Sequence, residues 1–292
     1  MSICIDDRFQ EFSRILMQRY SEQLAQENAE YIIKDILNNR KDPDNAIFDP
    51  YYNTFLGGYA AVVNVLVYYF LYLYSNNLSR FKLKWFKEAG IPQFRLSKFG
   101  NFTYNKTYEL IEDNFEGLDD CIVEIECPYI TGVTLGSSNI RRFSLWFNRY
   151  VSYLDLSNSD ISEAKIVLQS SSVKEVILPK NLKEVPKYFF QDCYELKKVN
   201  LPETLTSIEK MGFASCRALT EITLPKSIKY LGEWSFAHCR SLKEIHYLGT
   251  KKEWAAIDKN CWLDYNNPDH PDVIDRIICS DGEIKLVNKN KR

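Results

Sequence analysis

The stretch Leu219-Thr220-Glu221-Ile222-Thr223-Leu224-Pro225-Lys226-Ser227-Ile228, continued by Leu231-Gly232 and Trp234-Ser235-Phe236-Ala237-His238-Cys239, decides the fold because the chain says nearly the same thing three times. Pro179, Pro202 and Pro225 recur about 23 residues apart, and so do Phe190, Phe213 and Phe236. Cys193, Cys216 and Cys239 keep step with them, followed by Leu196, Leu219 and Leu242. Self-similarity at a fixed period of this length means that each unit stacks on the next to bury a shared core, so residues 173–248 form a solenoid.

Within each unit the residues Lys174 to Leu178, Lys197 to Leu201 and Thr220 to Leu224 alternate polar with apolar, the period of a half-buried strand. The proline that follows cannot donate to a ladder and turns the chain out of the sheet at the same place in every coil. On the return leg Leu205 and Ile208, then Phe213, Cys216 and Leu219, recur about every third residue, which predicts a short helix or 3₁₀ turn.

These residues resemble the BspA-type leucine-rich repeats, strongly over 173–248. The segments Tyr247-Leu248-Gly249-Thr250 with Glu253-Trp254, and Ile278-Cys279-Ser280-Asp281-Gly282, are similar to the tail that closes such arrays in bacterial members. The resemblance implies a non-catalytic repeat module for protein binding or adhesion, of the kind found in host-associated bacteria, some of their phages and some protists. The fold class expected is therefore mixed α/β: a leucine-rich-repeat solenoid with parallel strands, preceded by a mainly helical N-terminal domain over 1–116.

The period extends upstream in weakened form. Val133, Leu154 and Val176 are spaced like the later Val199, Ile222 and Ile245, so degenerate coils are expected over 117–172 and six parallel strands centred on 133, 154, 176, 199, 222 and 245. Phe143 with Leu145, and Ile166 with Leu168, fall on the opposite wall beside Val185, Ile208 and Leu231. After Leu248 a cap is expected over 249–292, with a short helix from Lys251 to Ile257 that lays Trp254 and Ile257 over the last coil and a hairpin turning at Asp281-Gly282.

Apolar residues at three-to-four spacing from Asp7 to about Asn39 predict one long helix or two, ended by the turn-rich Lys41-Asp42-Pro43-Asp44-Asn45. Phe55 to Tyr74 is apolar and aromatic over nearly the length needed to span a bilayer, and basic residues follow it. Asn64, the Gly57-Gly58 pair and five tyrosines argue instead for a buried helix, with a subunit interface as a third reading. Arg80 to Lys87 alternates basic with apolar and predicts a strand with one charged, solvated edge. The net charge of −2 gives no reason to expect a nucleic-acid partner.

Chemistry is sparse. The sequence carries no GxSxG elbow, HExxH, phosphate loop or GxGxxG, so no catalytic residue, cofactor or metal is expected. Of three histidines, His238 neighbours a core cysteine, His246 points out from the last regular strand, and His270 sits beside a proline in a loop. Eight cysteines without a CxxC pair, three of them in one repeat position, read as free core thiols. Free thiols, and a first ten residues without a secretory pattern, suit a cytoplasmic or virion-associated protein.

What remains is the outward face of the strands, where two columns form: Tyr153, Glu175, Lys198, Glu221 and Glu244, and beside them Asp155, Ile177, Asn200, Thr223 and His246. Rows about 4.8 Å apart would let Glu175, Lys198 and Glu221 pair along the ladder. This face is the expected protein-binding surface, with the helical part as a site of homo-oligomerisation. The function expected is a non-enzymatic interaction or assembly module, a virion component among its forms. A membrane-associated effector or enzyme with the repeats as targeting arm is the alternative.

Overall fold

The computed structural model describes residues 14, 16–25, 28–38, 59–89, 93–97, 107–136, 140–159, 166–259, 261–263 and 274–286. The expectations for Lys41 to Asn45, for the start of the first helix and for His270 lie outside them. Among the described residues, helices α1 (Ser21–Ala25), α2 (Ala29–Asn38) and α3 (Tyr59–Leu73) come before the sheets. Leu16, Tyr20, Ile32, Ile33 and Ile36 are buried, as is the run Leu66 to Leu71. The Tyr68 ring meets Tyr129 edge-on at 5.1 Å and Tyr108 at 6.0 Å, so α3 lies against the first coils of the repeat array. No described helix is long and apolar enough to cross a membrane.

A 3₁₀ turn (Leu78–Arg80) and helix α4 (Lys84–Glu88) follow. The strand expected over Arg80 to Lys87 is thus a turn and a helix. Phe81, Leu83 and Phe86 are all fully buried, and burial of Phe86 in place of Trp85 breaks the alternation: Leu83 and Phe86, three apart and joined by a backbone bond of 3.0 Å, share the inner face of a turn. The lysines bind the neighbouring coil: Lys82 pairs with Glu116 at 2.8 Å, and Lys87 donates to the Asp119 carbonyl at 2.8 Å.

Next come β1 (Gln93–Ser97), β2 (Tyr108–Leu110), α5 (Glu112–Phe115), β3 (Ile122–Glu126), β4 (Ile130–Thr134), β5 (Arg142–Ser144), β6 (Tyr153–Asp155), β7 (Ile166–Val167), β8 (Glu175–Ile177), β9 (Glu184–Val185), β10 (Lys198–Asn200), β11 (Ser207–Ile208), β12 (Glu221–Leu224), β13 (Tyr230–Leu231) and β14 (Glu244–Tyr247). They alternate between two walls. The front wall holds β2, β4, β6, β8 and β10 in one parallel ladder and β12 with β14 in the next. The back wall is β1-β3-β5-β7 followed by β9-β11-β13. The six expected strands are all present at their expected centres, and β2 adds one before them. Both walls start upstream of residue 117, β1 pairing with β3 and β2 with β4.

The return leg differs from expectation. It is a two-residue strand and then a series of turns, with no helix between 173 and 248. Three residues past each of β9, β11 and β13 the chain takes a positive φ, at Tyr188 (65°), Met211 (54°) and Trp234 (56°), and again at Asp192, Ser215 and His238. Turns closed by i→i+3 bonds recur along the leg, Gly212 N–H to the Glu209 carbonyl at 3.0 Å and Ala214 N–H to the Met211 carbonyl at 3.2 Å, but the left-handed corners keep them from running on as a 3₁₀ helix. The corner amides bond to the next coil, Met211 N–H to the Glu233 carbonyl at 3.0 Å and Ser215 N–H to the Ala237 carbonyl at 2.8 Å.

Between the walls the repeat residues stack on their own kind. Phe190, Phe213 and Phe236 form a ring column with centroids 4.8 and 5.3 Å apart, closed edge-on by Trp262 at 6.1 Å. The thiols of Cys193, Cys216 and Cys239 are buried as expected, and each donates to a carbonyl one coil back: Leu168 at 3.2 Å, Phe190 at 3.3 Å and Phe213 at 3.0 Å. A small side chain with one weak donor satisfies an inward carbonyl at this position in every turn.

The cap is as expected. Helix α6 (Lys251–Ala256) opens with a capping box in which Thr250 and Glu253 satisfy each other's amides, and it buries Trp254. Strands β15 (Arg276–Cys279) and β16 (Gly282–Lys285) form an antiparallel hairpin, Gly282 taking φ +124°, and β15 adds parallel to β14. The last coil therefore presents a paired charged edge rather than open apolar groups.

Candidate functional site

The front face carries the ten predicted residues on strands whose inward partners, Leu154, Val176, Ile222 and Ile245, are buried. Pleat alternation then drives their neighbours outward. Tyr153, Glu175 and Lys198 occupy one register row and Asp155, Ile177 and Asn200 the adjacent one. Lys198 Nζ lies 2.6 Å from Glu175 Oε1, the expected pairing along the ladder. The Tyr153 hydroxyl donates to Asp155 Oδ2 at 3.3 Å, and partial burial together with that carboxylate pushes its pKa up.

The expected continuation to Glu221 does not occur, because β10 and β12 belong to separate ladders. Glu221 is instead in register with Glu244, and Thr223 with His246. The two halves of the face differ in consequence. The first offers a tyrosine, an isoleucine and a lysine–glutamate pair. The second gathers two carboxylates and an imidazole, with His246 Nε2 at 3.4 Å from Glu244 Oε2 and 3.9 Å from Glu221 Oε2.

One residue of this half escaped the sequence reading. Arg276 of β15 sits in register with Glu244 and donates through Nε and Nη2 to Glu244 Oε1, which holds the Glu244 carboxyl below its ordinary pKa. It lies within the expected cap, and the short apolar run Ile277-Ile278-Cys279 is the one sequence signal there of a further strand. Outside the face, an exposed aromatic pair stands on the turn after β5, Trp146 stacked on Phe147 at 4.9 Å.

Residues 164–266 match the model of the BspA-type leucine-rich repeat region in six copies. This segment is a BspA-type leucine-rich repeat solenoid. The BspA-type repeats also align with solved bacterial leucine-rich repeat proteins. One from Bacteroides capillosus ATCC 29799 is 26% identical over 34% of this chain and 65% of its own, with a TM-score of 0.27. A leucine-rich cell surface protein from Faecalibacterium prausnitzii A2-165 is 20% identical over 53% and 43%, with a TM-score of 0.32. The T. pallidum leucine-rich repeat protein is 16% identical over 52% and 67%, with a TM-score of 0.26. The chain thus spans less than two thirds of the first two of these proteins. No curated protein matches it. Leucine-rich repeat solenoids suggest protein-interaction modules, since a stack of coils builds a broad regular surface.

Proposed function

We propose that this chain is a non-enzymatic protein-interaction module whose recognition surface is the front wall, from Tyr153 and Asp155 through Glu175, Ile177, Lys198 and Asn200 to Glu221, Thr223, Glu244 and His246. The observation that carries this reading is the register of the columns: side chains of mixed character stand in rows on a backbone held rigid by parallel ladders. Such a surface needs little reordering to bind, which lowers the entropic cost of association. Ile177 and Tyr153 are its apolar and aromatic anchors, and the charged residues around them set orientation and partner choice.

The test is affinity capture from the native source with wild type and the triple variant Ile177→Arg, Asn200→Arg, Thr223→Arg, after both are shown to melt alike. A specific partner lost from the variant is the expected result. The same partner retained on both would move recognition to the helical segment. Assembly, in a virion or another ordered structure, is the form of this reading that requires self-association through the helices before residue 90. Light scattering on the purified chain decides it, a monomer at all concentrations being the outcome against.

A further inference from the structure

We propose that Glu221, Glu244 and His246 hold one transition-metal ion of the zinc class on the front wall. Parallel pairing of β12 with β14 sets Glu221 beside Glu244, and His246 follows two residues later on the same side of the sheet. Their three donor atoms lie within 4.8 Å of one another. Tetrahedral zinc with bonds of about 2.0–2.1 Å spaces its donors about 3.3 Å apart. The imidazole nitrogen at 3.4 Å from one carboxylate oxygen is already at that spacing, and the 3.9 Å contact is within about an ångström of it.

The second observation concerns the imidazole itself. His246 Nε2 is closed off from solvent and makes no hydrogen bond of good geometry, Glu244 Oε2 standing 3.4 Å away, although 36% of the side chain is exposed. An imidazole nitrogen that donates no hydrogen bond there turns a lone pair toward two carboxylate oxygens. Acceptors facing acceptors repel unless a cation stands between them, and a metal ion turns all three into ligands. Arg276 binds Glu244 through Oε1 only, leaving Oε2 free and fixing its direction, the arrangement that outer partners impose on ligating carboxylates. An imidazole among the donors favours zinc, nickel or copper over magnesium and calcium, and three protein ligands leave a fourth position for water. Glu221, with 70% of its side chain exposed, completes the set with the least constraint. This inference stands apart from the protein-binding reading, since the ion is held by this chain alone.

The experiment uses the purified full chain, stripped with a chelator and titrated with zinc chloride by calorimetry at pH 7.5, beside His246→Ala and Glu221→Gln. The expected result is one zinc ion per wild-type chain and binding at least tenfold weaker in each variant, at unchanged far-ultraviolet circular dichroism. Cobalt in place of zinc should give the visible absorption of a nitrogen- and oxygen-ligated ion, lost in His246→Ala. No zinc binding by the wild type would overturn the proposal. So would equal binding by wild type and His246→Ala, which would assign the zinc to other groups such as the exposed Cys261. Should His246→Ala fail to fold, Glu221→Gln decides alone.

Discussion

Phe213→Ala is the perturbation that tests the stacked interior most directly. The ring is fully buried between Phe190 and Phe236, at centroid distances of 4.8 and 5.3 Å and nearly parallel to the second at 5°. Truncation of a buried phenylalanine costs about 3–5 kcal/mol through lost transfer energy and the cavity left behind. The two flanking coils are tied to the central one by thiol and amide hydrogen bonds, so the gap cannot close by collapse. With a urea m-value of about 3 kcal/mol per molar, the unfolding midpoint should fall by about 1–1.7 M. Lys198→Ala, at a position whose side chain is 71% exposed, should stay within about 0.5 kcal/mol of wild type. A cycle with Phe236→Ala isolates the stack itself: the double variant should lose about 0.5–1.5 kcal/mol less than the sum of the singles. Equal losses for Phe213→Ala and Lys198→Ala would refute the continuous core, and strict additivity would refute coupling between adjacent coils.

Asn114 is fully buried, donates to the Leu78 and Phe81 carbonyls at 2.7 Å each, and accepts from Ile111 N–H. Asn114→Leu strands these backbone groups and should cost several kcal/mol, read as a drop in melting temperature of both the helical signal and the repeats together. The buried thiols make stability fall at alkaline pH. Burial raises Cys193 from 9.0 to about 11, so above pH 9 the unfolded chain releases this proton while the folded one keeps it. Unfolding free energy should decline between pH 9 and 11 by up to about 1.4 kcal/mol per pH unit for that thiol. Cys193→Ala should flatten this slope in denaturant titrations across the window, and an unchanged slope would count against a protonated buried thiol. In the native protein at pH 8, Ellman's reagent should modify Cys261, which is exposed, well before Cys193, Cys216 or Cys239.

The legibility of the fold followed the strength of its periodic signal. Val133, Leu154 and Val176 were found from spacing alone because a front strand alternates over at least three residues and its inward side chain must be apolar in every coil. From β7 onward the back strands are two residues long, too short for alternation to declare itself, and the corners after β9, β11 and β13 hold Tyr188, Met211 and Trp234 where glycine would have announced a left-handed turn. In Arg80 to Lys87 the pattern of alternating charge was genuine, yet burial of Phe81, Leu83 and Phe86 together decided for a turn and a helix. The candidate face was legible as two columns, while its division was not.

By itself the sequence determined the solenoid, its register, the inward phenylalanine and cysteine columns and the outward residues of each front strand. These follow from period and polarity, which act within a coil and between like positions of adjacent coils. Only the tertiary structure decided where the front ladder breaks between β10 and β12, and that β15 returns from the cap to place Arg276 beside Glu244. It also decided that Glu221, Glu244 and His246 converge on one point. The return of β15 depends on contact between segments with no shared period, while the ladder break and the convergence depend on backbone and side-chain geometry that residue spacing does not encode.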